Sequence, residues 1–339
     1  MESPRRLRRA VAAIVLLVAA TVGCTSGSAR SPAASDSSGR QNGPRSGLVL
    51  VVAPAPEQIV VAPGDGTADI VVPTPEHVSI DALDVAPAGD RIAYTAQPQP
   101  QTPSDLWLSD LEGNAQTRVT PPAGQSFNCV RWSPDGTRLL LSVTDVAFTH
   151  TIGYLTVDIA TLTANPLPVA LPGNQLSCAD WTRDGRNVIY ATGNGTPPAV
   201  RIDQLWEVGT DGTNPHLIGQ LPAACVINDP AVSPDSSLVA VDVICPQGLV
   251  NDNGIWTIAV TDGKTVQLVG PDASQSSGPA PQFWNPRWLP DGTALVYGEA
   301  TTDSSGAPQP LGIWQIDATS HTSQQLISAR TIAAAPVPR

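Results

Sequence analysis

The sequence predicts an all-β fold, a six-bladed β-propeller of four-stranded antiparallel blades, and three observations carry that expectation. A short turn recurs as Ala86-Pro87-Ala88-Gly89, Ser133-Pro134-Asp135-Gly136, Thr182-Arg183-Asp184-Gly185, Ser233-Pro234-Asp235-Ser236 and Leu289-Pro290-Asp291-Gly292. The fourth residues of these turns stand 47, 49, 51 and 56 positions apart, a period that signals stacked supersecondary units of blade size. Seven of the eight Trp fall in two columns of this repeat, and apolar runs flank the turns.

Each unit reads the same way. An inner strand comes first, as in Val130-Arg131-Trp132 and Pro286-Arg287-Trp288. The turn follows, with Pro fixing φ and Gly accepting a positive φ. A second strand then covers 91–94, 138–142, 187–190, 238–241 and 294–297. A third covers 105–109, 153–157, 204–208, 254–258 and 312–316, and polar turns such as Asp211-Gly212-Thr213-Asn214 lead to a fourth. Trp132, Trp181 and Trp288 stand two residues before the second turn position, while Trp107, Trp206, Trp256 and Trp314 sit in third strands. Recurrence at equivalent positions points to packing between twisted sheets rather than to a stacking platform for sugars or bases. Trp284 alone breaks the pattern and is open to exposure.

Residues 48–53, 58–62 and 69–72 also read as strands and match the second to fourth strands of a blade. Its inner strand is expected from 331–337, so that N- and C-terminal strands pair, close the ring and remove two exposed edges. The propeller then spans 48–338, or 291 residues. Six blades need about 48 residues each, whereas seven would need about 42, shorter than any spacing seen.

Ahead of it, residues 1–23 read as a lipoprotein signal peptide. Arg5, Arg6, Arg8 and Arg9 precede an apolar stretch at 10–22 that is too short to span a membrane. Its end, Thr21-Val22-Gly23-Cys24, resembles the bacterial lipobox, with Thr21 where Leu is usual. The resemblance implies cleavage after Gly23 and a diacylglycerol on Cys24, its fatty acyl chains such as palmitate entering the membrane. The alternative is an ordinary secretory signal with an incidental Cys; general secretion is favoured over twin-arginine export, because the motif around the Arg pairs is poor. Residues 24–47 are rich in Ser, Gly, Pro, Ala and Arg and read as a disordered tether. The expected location is therefore extracytoplasmic, lipid-anchored to the bacterial cell membrane. Without the signal the chain holds 14 basic and 29 acidic residues, a charge of −15, which argues against nucleic acid or anionic membrane as the main ligand. Membrane contact is expected through the lipid alone.

The units at Trp132-Ser133-Pro134-Asp135-Gly136, Asp229-Pro230 with Ser233-Pro234-Asp235, and Trp288-Leu289-Pro290-Asp291-Gly292 resemble the WD40-like repeats of TolB-type six-bladed propellers. The resemblance covers nearly all of the chain after the tether and implies the fold more than any activity. Similar repeats occur in the propeller halves of prolyl oligopeptidase-type enzymes, whose hydrolase half has no counterpart here. TolB carries an α/β domain before its propeller, where this sequence has only the tether, so TolB's partner binding does not transfer.

Four Cys remain besides Cys24, an even set that favours two disulfides in an oxidising compartment, against an alternative of four buried thiols. Cys129 and Cys178 hold the same position in neighbouring inner strands, and Cys225 and Cys245 sit symmetrically about Asp235, so the expected pairs are Cys129–Cys178 and Cys225–Cys245. Asp84, Arg131, Asp180 and Arg287, with Ala231 completing the row, stand three residues before the second turn position, with signs that suggest ion pairs between blades; a ligand site is the other reading. Asp81, Asn128, Ser177, Asn228, Asp229 and Asn285 lie early in inner strands, where they either bond to channel water or hold Ca²⁺. No cofactor is otherwise expected.

The G-x-S-x-G, H-E-x-x-H and phosphate-loop signatures are absent, and His77, His150, His216 and His321 are scattered. The expected function is a non-enzymatic, monomeric protein-binding or scaffolding module of the cell envelope, its partner an envelope or exported protein. Its loops at 97–104, 246–253, 272–282 and 301–312 are the expected contacts. Two alternatives stand: a metal-dependent hydrolase or lactonase using the channel, and a sensor or binder of an envelope ligand such as a glycan.

Overall fold

The recurrent turns close by one set of bonds. In the computed structural model Gly136, at φ 68°, donates its N–H to the Ser133 carbonyl at 2.9 Å. Asp135 Oδ1 meanwhile accepts from Ser133 Oγ at 2.6 Å and from the Thr137 N–H at 3.0 Å. Asp184 does the same with Thr182 Oγ1 and the Arg186 N–H, and Asp235 with Ser233 Oγ and the Ser237 N–H. Each carboxylate thus replaces backbone partners that the reversal leaves open. Ser236, in the glycine slot, takes φ 57° and offers its Oγ to the Arg183 N–H of the neighbouring turn at 2.8 Å.

The structure describes residues 49–54, 58–63, 70–74, 79–99, 102–146, 151–169, 175–194, 201–221, 225–245, 252–271, 281–302, 308–327 and 331–336. The signal, Cys24, the tether, His77, His150 and parts of all four long loops lie outside them. Among the described residues there is no helix long and apolar enough to cross a membrane.

Five antiparallel blades are each a run of four consecutive strands. They are β4 (Ser79–Val85), β5 (Arg91–Gln97), β6 (Asp105–Asp110) and β7 (Thr117–Val119); β8 (Gln125–Trp132), β9 (Arg138–Asp145), β10 (Thr151–Asp158) and β11 (Ala164–Pro166). Next come β12 (Gln175–Trp181), β13 (Asn187–Gly193), β14 (Gln204–Gly209) and β15 (His216–Gln220); then β16 (Val226–Val232), β17 (Leu238–Ile244), β18 (Gly254–Ala259) and β19 (Thr265–Val269). The last is β20 (Gln282–Trp288), β21 (Ala294–Thr302), β22 (Pro308–Asp317) and β23 (Ser323–Ile327). A further sheet combines both chain ends in the order β24 (Thr331–Pro336), β1 (Val49–Pro54), β2 (Ile59–Pro63) and β3 (Ile70–Val72). The fold is an all-β propeller of four-stranded antiparallel blades, and the blade count is five rather than the expected six. The difference has a physical basis at the chain ends: the terminal sheet is not one meander of consecutive strands but a composite of both ends.

Apolar residues bind successive sheets face to face. Ala93 and Leu106 of one blade pack with Phe127, Trp132, Leu139 and Val143 of the next, and Ala240 and Ile255 with Phe283, Trp288 and Leu295. Ile59, Val61 and Val72 of the terminal sheet join Leu83 and Tyr94. On its other face Val60 meets Val296 and Ile313. The two Trp columns differ. Trp132, Trp181 and Trp288 are buried, and Trp181 and Trp288 donate their indole N–H to the carbonyls of Arg131 and Ala231 in the preceding blade, at 3.4 and 3.0 Å. Trp107, Trp206, Trp256 and Trp314 are half-buried and pack against the edges of these cores.

Candidate functional site

Inner strands β4, β8, β12, β16, β20 and β24 pack against one another in that cyclic order. In five of them the ladder to the second strand slips at the same place, between Ile80 and Ala82, Phe127 and Val130, Leu176 and Ala179, Asn228 and Ala231, and Trp284 and Arg287. A β-bulge re-aims the side chains it releases. The released residues are Asp81, Asn128, Cys129, Ser177, Cys178, Asp229 and Asn285, with Pro230 and Pro286. Asp229 and Asn285 take φ 36° and 55°, a left-handed conformation that Asp and Asn tolerate better than most residues. Strain of this kind on neighbouring blades marks the inner end of the bulges as a candidate site.

The charged row fastens blade to blade, though not chiefly as the neighbouring ion pairs that alternating signs suggest. Asp84 Oδ2 accepts the Trp132 N–H of the next blade at 2.7 Å. Asp180 takes its own Trp181 N–H on Oδ1 and the Val232 N–H of the next blade on Oδ2, both at 2.8 Å. A short carboxylate reaches a neighbouring strand's free N–H more directly than it reaches a guanidinium beyond. Arg131 and Arg287 are buried, and their Nη1 atoms donate to the carbonyls of Val130 at 2.8 Å and Pro286 at 2.7 Å. Arg131 Nη2 stands 3.8 Å from Asp229 Oδ1, two blades away. Burial raises the Asp84 carboxyl's pKa, opposed by Arg131 and Arg287. Burial, reinforced by the like charge of Arg131, lowers the Arg287 guanidinium to about 10.

Other predicted oxygen ligands are engaged locally. Asp81 presents surface to solvent, yet its carboxyl is crowded by protein and accepts Ser104 Oγ at 2.5 Å. That loss of hydration raises its pKa to about 6, against the hydrogen bonds from Ser104 and Gln97. The Asn128 backbone carbonyl, rather than its side chain, accepts Thr95 Oγ1 of the preceding blade, and the Ser177 hydroxyl donates to the Cys178 carbonyl. Asn228 Nδ2 donates to Asp242 Oδ2 at 3.3 Å. Asp242 was not singled out in the sequence. It lies inside the apolar run Leu238–Ile244, where its one signal is a carboxyl among aliphatic residues. Burial, then the nearby Asp229 charge, raises its pKa well above the usual carboxylate range, and its Oδ1 has no hydrogen-bond partner. Trp284, half-buried, lies flat against Gly298, where any Cβ would strike its indole.

Both disulfides are present. Cys129–Cys178 joins the inner strands of neighbouring blades with Cα atoms 5.6 Å apart, and Cys225–Cys245 closes the open end of the β16–β17 hairpin at 4.2 Å. Among the described residues, one group of three His, Cys, Asp or Glu side chains brings its ligand atoms within ion-sharing distance: Cys129, Cys178 and Asp229, all within 4.8 Å. At the turn end of the ring, a groove of about 390 Å³ runs between Arg183, Asp184, Asn187, Glu207, Asp235 and Ser236. A second of about 460 Å³ shares Asp184 and Asn187 with it and adds Arg138, Arg186 and Asp211.

No protein-family model matches the chain, and no curated protein matches it in sequence. Solved structures do match in fold. TolB from Acinetobacter baumannii superposes with a TM-score of 0.63 at 17% identity, over 86% of this chain and 66% of the TolB chain. A chain of the nidogen/laminin complex gives 0.59 at 12% identity, over 86% of this chain and 98% of its own. An oligogalacturonate lyase solved with manganese gives 0.51 at 18% identity, over 82% and 72%. The architecture is TolB-like. At such identities the likeness concerns fold alone.

Proposed function

We propose that this chain is a lipid-anchored, extracytoplasmic propeller that binds another protein and carries out no chemistry of its own. One observation carries the reading. Three inner-strand contacts run from blade to blade: Asp84 to Trp132, Asp180 to Val232, and Cys129 to Cys178. Side chains used in this way stiffen the ring and leave recognition to its rim, where the paired grooves expose Arg183 and Arg186 beside Asp184. In this reading 1–23 is removed, 24–47 tethers the ring from Cys24, and the propeller occupies 48–338. The terminal sheet bridges the first and last blades, in contact through Val60 with β21 and β22 and through Ile59 and Val61 with the blade of Leu83. The likeness to the nidogen/laminin complex, a protein–protein assembly by its name, agrees with display from rigid blades.

Cross-linking in intact membranes, followed by capture of this chain, tests the proposal. A partner that copurifies with the native protein and is lost with R183E/R186E is the expected outcome. Equal recovery with the native and rim variants, or no partner with either, defeats it.

A second reading rests on Asp242. A buried carboxyl with its pKa raised beside a second carboxylate is how acid and base roles are separated in many active sites. The fold likeness to a manganese-containing oligogalacturonate lyase directs this reading toward acidic oligosaccharides. Turnover of oligogalacturonate lost in both D229N and D242N would favour it over display; absence of turnover with and without manganese would end it.

A further inference from the structure

We propose that Cys129, Cys178 and Asp229 form a redox-gated zinc site in the channel, closed while the two sulfurs are bonded to each other and opened when they are reduced. The inference goes beyond partner binding and does not depend on it. Three features place the site. The ligand atoms come from three successive inner strands, β8, β12 and β16, and lie within 4.8 Å of one another. Cys129 Sγ is 4.0 Å from Asp229 Oδ1. Zinc–sulfur bonds of about 2.3 Å and zinc–oxygen bonds of about 2.1 Å in a tetrahedron put sulfur and oxygen roughly 3.6 Å apart, so this gap needs only a small contraction. Bulges on all three strands release these residues from the ladder, and the φ of 36° at Asp229 fixes its backbone where regular pairing would not.

Charge and donor type select the ion. Two thiolates and a carboxylate carry three negative charges, of which a divalent cation leaves one. Arg131 supplies the balancing positive charge, with Nη2 at 3.8 Å from Asp229 Oδ1 and no hydrogen-bond partner on that nitrogen. Thiolate donors favour zinc over calcium or magnesium, which prefer oxygen, so the site differs in kind from the oxygen-ligand ring expected from sequence. Three protein ligands leave a fourth position for water.

The chemistry balances with a dithiol reductant, the chemical class of thiol–disulfide exchange proteins. One thiolate of the reductant attacks a sulfur of the Cys129–Cys178 bond, forming a mixed disulfide and releasing the other cysteine; its second thiolate then displaces the remaining cysteine and closes the reductant's own disulfide, so the pair gains two electrons and the dithiol's two protons. Zinc binding then releases both thiol protons to solvent. The other disulfide offers no such neighbour: Cys225 and Cys245 belong to no such metal-ligand cluster among the described residues.

Cobalt(II) titration of the full chain under anaerobic conditions tests this, because thiolate coordination gives an intense near-ultraviolet charge-transfer band. One equivalent is expected after reduction and none before. The band should vanish in C129S/C178S, persist in C225S/C245S, and require about tenfold or more cobalt in D229N. No band in reduced protein that keeps its native circular dichroism overturns the proposal, as does an undiminished band in C129S/C178S or an unchanged affinity in D229N. Unfolding on reduction that zinc fails to reverse counts against it equally.

Discussion

Asp84 and Asp180 show how one side chain fixes the angle between blades. Each reaches across the boundary to a backbone N–H that the neighbouring inner strand cannot satisfy itself. Removing the acceptor strands that donor, which costs about 1–3 kcal/mol when the group is buried. Asp84→Ala should therefore lower the urea midpoint by that equivalent with an unchanged m-value, and an unchanged midpoint would show that water takes over the bond. Asp81 acts through protons instead. Its folded pKa of about 6 lies above the ordinary 3.8, so between these values the native state holds more proton than the unfolded chain. The Asp81 contribution to stability should fall as pH rises through that window; denaturation of native protein and D81N across pH 4 to 7 should show a steeper fall in the former, the remainder coming from Asp84 and Asp242, which burial also raises. The charged row was legible from its repeat position, whereas its partners were not, since sequence spacing does not distinguish a carboxylate facing a guanidinium from one facing an amide. Asp242 escaped notice for a related reason: an apolar run reads as core, and only the fold reveals which member meets Asn228.

At the scale of elements, the hairpin is the unit that the sequence specifies most completely. Its turn, its acceptor carboxylate and its flanking apolar runs lie within about ten residues and agree with one another, which is the local consistency that makes a fold readable. Hydrogen bonds from Ser133 and Thr137 hold Asp135 at about 2, and those from Ser233 and Ser237 do the same for Asp235. Both are depressed, so their stabilising effect is present above the ordinary 3.8 and is lost as pH falls toward 2, the opposite limb from Asp81. The β16–β17 hairpin carries an added constraint. Cys225–Cys245 closes a 20-residue separation, and C225S/C245S should cost about 2–4 kcal/mol in chemical denaturation. Gly254 opens β18 at φ 151°, where a Cβ would strike the Val269 carbonyl; Gly254→Ala should lower the melting temperature more than the same change at Gly153, which has open space. The inner-strand bulges were not foreseen, because an inserted residue alters pairing without altering the hydrophobic pattern along the strand.

For the whole molecule, the decisive contact is between its ends. β24 pairs with β1 from Leu50↔Pro336 to Pro54↔Thr331 and packs against both β20 and β4. Deleting 331–336 removes that pairing and leaves β1 as an unpaired edge. The expected result is a broadened, less cooperative thermal transition with oligomers on gel filtration; a sharp transition and a monomer would mean that the remaining sheets hold the ring alone. The period and the terminal strands were readable because closure demands a partner for every inner strand. The blade count was harder to read, because a sheet gathered from both ends has no single repeat to mark it.

The order β24–β1–β2–β3 also decides how the molecule bears force. A pull arriving through the residues ahead of Val49 enters at β1, which is hydrogen-bonded on both sides, to β24 and to β2. Load directed along that strand strains two ladders in shear, so many bonds must yield together. A pull on an outer strand such as β3 or β23 would instead peel a single ladder one bond at a time. A pull applied at this end is thus resisted by the seam of the ring acting in parallel.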